Sequence, residues 1–173
     1  MGFWSLWHFA IFIAMTLIAV WTSRRGKSAS IGGYGGWLIA LCIFLVFWAM
    51  QELAEFYRVR HEIAVLVPSA LESPDYQEYI CYALGLAWLE AFLLIGAAAM
   101  LTINRHRRAV RQTIAALWIA GPVAAFTEFV MAETYFGDYL VEDDYSAMAA
   151  TVMFATVWTC YLLTSARVKN TYI

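Results

Sequence analysis

An all-α, polytopic membrane helical bundle is the fold class that this sequence predicts, and three observations predict it. The 173-residue chain is 63% hydrophobic and only 14% charged, with a mean hydropathy of +0.66, whereas soluble domains average about 45–50% apolar and about 25% charged. Too few polar side chains are present to cover the surface of a soluble domain this small. Five apolar runs, residues 3–22, 37–57, 80–103, 113–136 and 147–165, are each long enough to cross hydrocarbon about 30 Å thick, which takes roughly 20 residues of helix. None alternates as barrel strands do, and only a helix then satisfies every backbone group in lipid. The first expected partner is therefore the lipid bilayer.

Taken in order, residues 1–23 read as an N-terminal transmembrane anchor helix. No basic residue precedes its apolar part and Arg24, Arg25 and Lys27 follow it, the reverse of a cleaved signal peptide. Residues 24–36 form a basic, Gly-rich connection. Gly32, Gly33, Gly35 and Gly36 suit a flexible joint, and IGGYGG has neither the GK[ST] nor the preceding strand of a phosphate loop. Residues 37–173 are expected as a four-helix transmembrane core. Within it, Ser73, Pro74 and Asp75 read as an N-cap, a first-turn proline and a dipole-matched acid, so the helix over 80–103 starts near Pro74. Gly121 and Pro122 interrupt the run over 113–136, where the missing donor and the ring clash predict a kink. Glu142, Asp143 and Asp144 suit the first turn of the last helix.

Basic residues set the orientation, because Lys and Arg are retained on the cytoplasmic side. Arg24, Arg25 and Lys27, then Arg105, Arg107, Arg108 and Arg111, then Arg167 and Lys169 share one side, while the other connections carry mostly acids, with Arg58 and Arg60 the basic exceptions. The N-terminus is expected outside and the C-terminus in the cytoplasm. Trp4, Trp7, Trp21 and Trp37 fall near span ends, as interfacial aromatic belts do.

The acidic residues in the spans are the informative ones. Glu90 lies ten residues into the run over 80–103, about 15 Å deep, where a carboxylate costs roughly 2.5–3.5 kcal/mol. It must face the bundle, a wet cavity or a partner, or stay protonated. Gln51, Glu52 and Glu55, with Glu128 and Glu133, lie toward the same outer leaflet. Glu52 and Glu55 share a helix face, whereas five residues put Glu128 and Glu133 about 140° apart. An acidic pocket made by Glu52, Glu90 and Glu128, with Arg58 or Arg60 as counter-charge, is the functional expectation; a hydrogen-bonded packing role for Glu90 is the structural one.

Other chemistry is sparse, and no cofactor is expected. Cys42, Cys81 and Cys160 have no CxxC or Cys/His spacing. Among His8, His61 and His106 only His8 lies in a span, too few for a membrane haem held by facing histidines. A divalent metal on Glu55, His61 and Glu62 repeats no known ligand spacing. No GxSxG, HExxH or SxxK occurs, and a net charge of −2 argues against nucleic acid as a partner. Small residues at Ala83, Ala87 and Ala91, then 96–99, permit close backbone approach along one helix.

Gly35, Gly36, Trp37 and Leu38 (GGWL), the mid-span Glu90, the basic turn NRHRR at 104–108, and the closing SARVKNTY at 165–172, with Ser165, Arg167, Val168, Lys169, Asn170 and Thr171, together resemble the YdgK-like family of bacterial inner-membrane proteins. The resemblance covers residues 31–172 and implies a helical protein of that membrane; that family's acidic residue is typically followed four positions later by Asn, where this chain has Leu94. It implies no activity. A nearly all-span chain without a catalytic constellation is expected to be an accessory or assembly subunit, packing against a larger inner-membrane complex or against itself as a homo-oligomer. A small ion-coupled carrier using Glu90 is the alternative, and a membrane enzyme acting on lipid or envelope precursors a second.

Overall fold

The computed structural model describes Leu17, residues 35–137 and residues 145–173. Helix α1 spans Trp37–Leu66, a 3-10 turn covers Pro68–Glu72, and α2 spans Pro74–Ile103. A third rod is built from α3 (Arg107–Trp118), a π-helical turn (Ile119–Val123) and α4 (Ala124–Phe136). Helix α5 (Tyr145–Thr164) and the short α6 (Ala166–Thr171) complete the described residues, which contain no strand. Three helices, Trp37–Leu66, Pro74–Ile103 and Arg107–Phe136, are long and apolar enough to cross a membrane, and Met148–Thr164 is a shorter apolar one. Apart from Leu17, the anchor helix over 1–23, together with the basic residues of the following connection and the acidic loop with Glu142, Asp143 and Asp144, lies outside the described residues.

Several boundaries differ from the apolar runs, each for a local reason. Helix α1 continues past the run ending at 57 because Arg58 bridges Glu55 and Glu62 at i,i−3 and i,i+4, pairs that support a polar helix face. It stops at Val67, whose backbone (φ −139°, ψ 70°) has left the helical region, the region that a following proline disfavours. Helix α2 begins at Pro74 with Asp75 in its first turn. Ser73 precedes it, but its hydroxyl makes no cap bond; its carbonyl accepts from the Gln77 N–H at 3.1 Å.

The core follows one stripe per helix. On α1 it runs through Leu38, Leu41, Leu45 and Ala49, and on α2 through Ala87, Ala91, Leu94, Ala97, Ala98 and Leu101. On the third rod it runs through Ala109, Val110, Thr113, Ala116, Leu117, Ala120 and Ala124. Steps of three and four place each stripe on one helix face. Short connections make α1, α2 and the third rod antiparallel neighbours, and α2 packs on both of the others. The small residues of α2 thus divide: Ala87, Ala91, Ala97 and Ala98 are buried in the bundle, while Gly85 and Gly96 face open space.

Gly121 and Pro122 fall inside the π turn, and the Ala124 N–H reaches back five residues to Ile119 O. Pro122 has no N–H to give, and its ring opposes the carbonyl four residues back; widening the turn accommodates both. The opposite end of the bundle is closed by the C-terminal motif. Ser165, with extended backbone, ends α5. Val168, Thr171 and Tyr172 are then buried, Tyr172 Oη donates to Leu101 O at 2.6 Å, and the Ile173 N–H donates to Arg105 O at 3.0 Å. Gly35 and Gly36 are also buried here, Gly36 with φ 59° and Gly35 against Arg167. These two glycines therefore serve a close approach and a left-handed turn, not the loose joint that their spacing suggested.

Candidate functional site

Each core stripe carries a glutamate where the helical spacing calls for another core residue. Glu52 follows Ala49 by three positions on α1, Glu90 sits between Ala87 and Leu94 on α2, and Glu128 follows Ala124 by four on α4. Glu52 lies fifteen residues after Trp37 and Glu90 thirteen before Ile103. In antiparallel helices rising about 1.5 Å per residue, these counts bring the two to similar depth. The π turn then sets the phase of α4, since one residue of helix is about 100° of rotation, and directs Glu128 to the same place.

The result is a cavity of about 150 Å³ lined by Glu52, Glu90 and Glu128 together with Trp48, Thr151 and the small wall of Ala120, Gly121 and Ala125. Burial is graded across it. Glu128 is exposed, Glu52 is half-buried and Glu90 is only 4% exposed. The Trp48 indole N–H donates to Glu52 Oε1 at 2.6 Å, whereas Glu90 Oε1 is buried with no hydrogen-bond partner. Among the described residues, no Lys, Arg or His lines the cavity. A buried carboxyl oxygen left without a donor is costly, so the packing role for Glu90 lacks the bond it requires among the described residues.

The other sequence candidates lie elsewhere. Arg58 is not at the cavity: its Nε donates to Glu55 Oε2 at 2.9 Å and its Nη1 to Glu62 Oε1 at 2.5 Å, on the exposed flank of α1. As a counter-charge for the acidic pocket it is therefore corrected, since one guanidinium already serves two carboxylates of its own helix. Arg60 and His61 are exposed on the same helix and do not line the cavity. Glu55 and Glu62 answer Arg58, and among the described residues no group of His, Cys, Asp and Glu could hold a metal ion. Glu133 is exposed and packs by Gly137, away from the cavity. Cys42, Cys81 and Cys160 are free thiols.

Trp48 and Thr151 were not singled out from the sequence. For Trp48 the signal was available: four residues before Glu52, it is placed to donate along the helix. Thr151 carried no such signal, because its position depends on how α5 packs against the π turn. Trp48 also belongs to an aromatic seam, its ring centroid 5.3 Å from Phe154, which stacks on Phe44 at 4.5 Å. That seam joins α1 to α5 and holds Thr151 across from Gly121, where a Cβ would stand 3.3 Å from the Trp48 ring and 3.7 Å from Thr151 Cβ.

A model of the family described as Protein of unknown function (DUF2569) matches residues 31–173. No curated protein and no solved structure matches the chain. The matched stretch contains the three glutamates, the π turn and the closing C-terminal motif, and it is well over half of the sequence; the protein belongs to the DUF2569 family.

Proposed function

We propose that this protein is a small cation-coupled membrane carrier whose working site is the cavity of Glu52, Glu90 and Glu128. One observation carries the reading: three acids from three helices share a chamber to which, among the described residues, no basic side chain contributes, and the innermost has a buried oxygen without a partner among them. Each such group costs about 2.5–3.5 kcal/mol at mid-membrane unless a cation or proton offsets it. A bend beside the site, the π turn at Gly121 and Pro122, suits a helix that must shift when the occupant leaves. The full proposed topology is five spans, N-terminus outside and C-terminus in the cytoplasm, in a bacterial inner membrane as the YdgK-like resemblance implies. Cation flux in proteoliposomes tests the reading. Glu90→Gln is expected to lower it at least about tenfold, the scale of losing one charged interaction; unaltered flux removes Glu90 from the mechanism.

A second reading, the accessory subunit, is favoured by the outer face of α2. Gly85 and Gly96 lie there over open space, with the exposed Trp88 and Phe92 between them at helical spacing and paired at 5.7 Å. Small and aromatic residues so arranged suit a second transmembrane helix. Copurification in mild detergent decides: a chain recovered alone at native expression counts against it.

A further inference from the structure

We infer that the cavity takes a small organic ammonium ion, a protonated alkylamine of no more than about six non-hydrogen atoms, since about 150 Å³ is the room that a benzene-sized guest needs. The inference rests on the carrier reading of the same site and names its substrate class. An alkylammonium carries three N–H donors and no acceptor, and the lining offers carboxylates from three directions and, among the described residues, no competing cation. Among the described residues, Glu90 Oε1 has no donor of its own. Glu52 has one oxygen held by Trp48, which fixes the carboxylate and leaves its second oxygen for a guest.

A bare metal ion fits less well. Small cations require several oxygens at about 2.0–2.6 Å, and among the described residues no acidic group is arranged to hold a metal. The cavity's volume of about 150 Å³ also exceeds what one ion fills, whereas its other walls, Ala120, Gly121, Ala125 and the Trp48 ring, suit an alkyl stem. Gly121 keeps that room, because a side chain there would press on Trp48. The burial gradient from exposed Glu128 to buried Glu90 gives a route by which the charged head enters while always facing a carboxylate.

The full chain in nanodiscs, titrated with propylammonium chloride and followed by tryptophan fluorescence, tests this against tetramethylammonium chloride and KCl at equal ionic strength. Propylammonium is expected to bind at least about tenfold more tightly than either, since only it brings N–H donors to charged acceptors. Glu90→Gln and Glu128→Gln should each weaken it at least about tenfold, and Glu55→Gln, away from the cavity, should not. The Glu128 variant, at the exposed mouth, keeps the test decisive if Glu90→Gln fails to fold. Propylammonium binding no tighter than K⁺ or tetramethylammonium, or binding unchanged in a folded Glu90 or Glu128 variant, overturns the assignment. Glu90-dependent flux without a propylammonium response overturns this inference alone; propylammonium binding without flux overturns the carrier reading and leaves a binding protein.

Discussion

Tyr172 and Leu101, 71 residues apart, meet through a hydrogen bond of 2.6 Å from the phenol to the Leu101 carbonyl. The last four carbonyls of a helix have no successor N–H within it, and Tyr172 answers one of these at the end of α2. Both residues are almost fully buried, so the C-terminal motif is a wedge seated in the bundle. Tyr172→Phe keeps the ring and loses the bond, and should cost about 1 kcal/mol. Tyr172→Ala, which also leaves a cavity, should cost about 3–5 kcal/mol. Denaturation in mixed micelles would read both, and equal losses in the two variants would refute the wedge.

Pro122→Ala returns the missing N–H and removes the ring clash, so the stretch should relax toward an ordinary α-helix. Losing the π turn rotates α4 by up to about 100° relative to α3 and carries Glu128 away from Glu90. The chain should gain rather than lose thermal stability while its cation flux falls. Flux equal to the parent's with raised stability would show that the π turn is not what aims Glu128.

Ala91 on α2 is 1% exposed and packed in the core. Ala91→Leu overfills a close helix contact and should destabilise by about 1–3 kcal/mol, whereas Gly96→Ala, with nothing within 4 Å of the added carbon, should be neutral or slightly stabilising. Melting curves of the two variants separate the bundle's own contacts from surface left for lipid or a partner.

The legible part of the fold was what hydrocarbon thickness dictates. The runs over 37–57, 80–103 and 113–136 all lie within the long apolar helices of the structure, and α2 begins at Pro74 with Asp75 in its first turn as expected, although the Ser73 hydroxyl makes no cap bond. Ends set by polar pairing were not legible, because the extension of α1 to Leu66 depends on Arg58 bonding within its helix. That Glu52, Glu90 and Glu128 lie toward one side of the membrane was readable from depth. Which face each acid takes was not: in a chain apolar all round, hydropathy does not mark the buried stripe. The small residues mark it instead, and Ala49, Ala87 and Ala124 each stand three or four positions before a cavity glutamate. Arg58 was misassigned for the same reason, since its helix partners compete with the pocket at shorter range.

Arg58→Ala tests that correction. The guanidinium is exposed and, among the described residues, bonded to acids on its own helix, and such surface pairs contribute little. The variant should keep the parent's stability and its cation flux, in contrast to Glu90→Gln. A loss of flux matching that of Glu90→Gln would return Arg58 to the cavity as its counter-charge.

Lys169 supplies the test of sidedness. It is exposed in α6, the same short helix whose Val168 and Thr171 are buried against the bundle, so its amine is accessible from one side of the membrane and held there by the Tyr172 wedge. Arg105, Arg107 and Arg108 cluster at that end of the rods, and a positive cluster of this size is retained in the cytoplasm. An impermeant amine reagent should therefore leave Lys169 unlabelled in intact cells and label it after permeabilisation, with Lys169→Arg as the background control. Labelling from outside would invert the proposed topology and turn the mouth of the cavity, at Glu128, toward the cytoplasm.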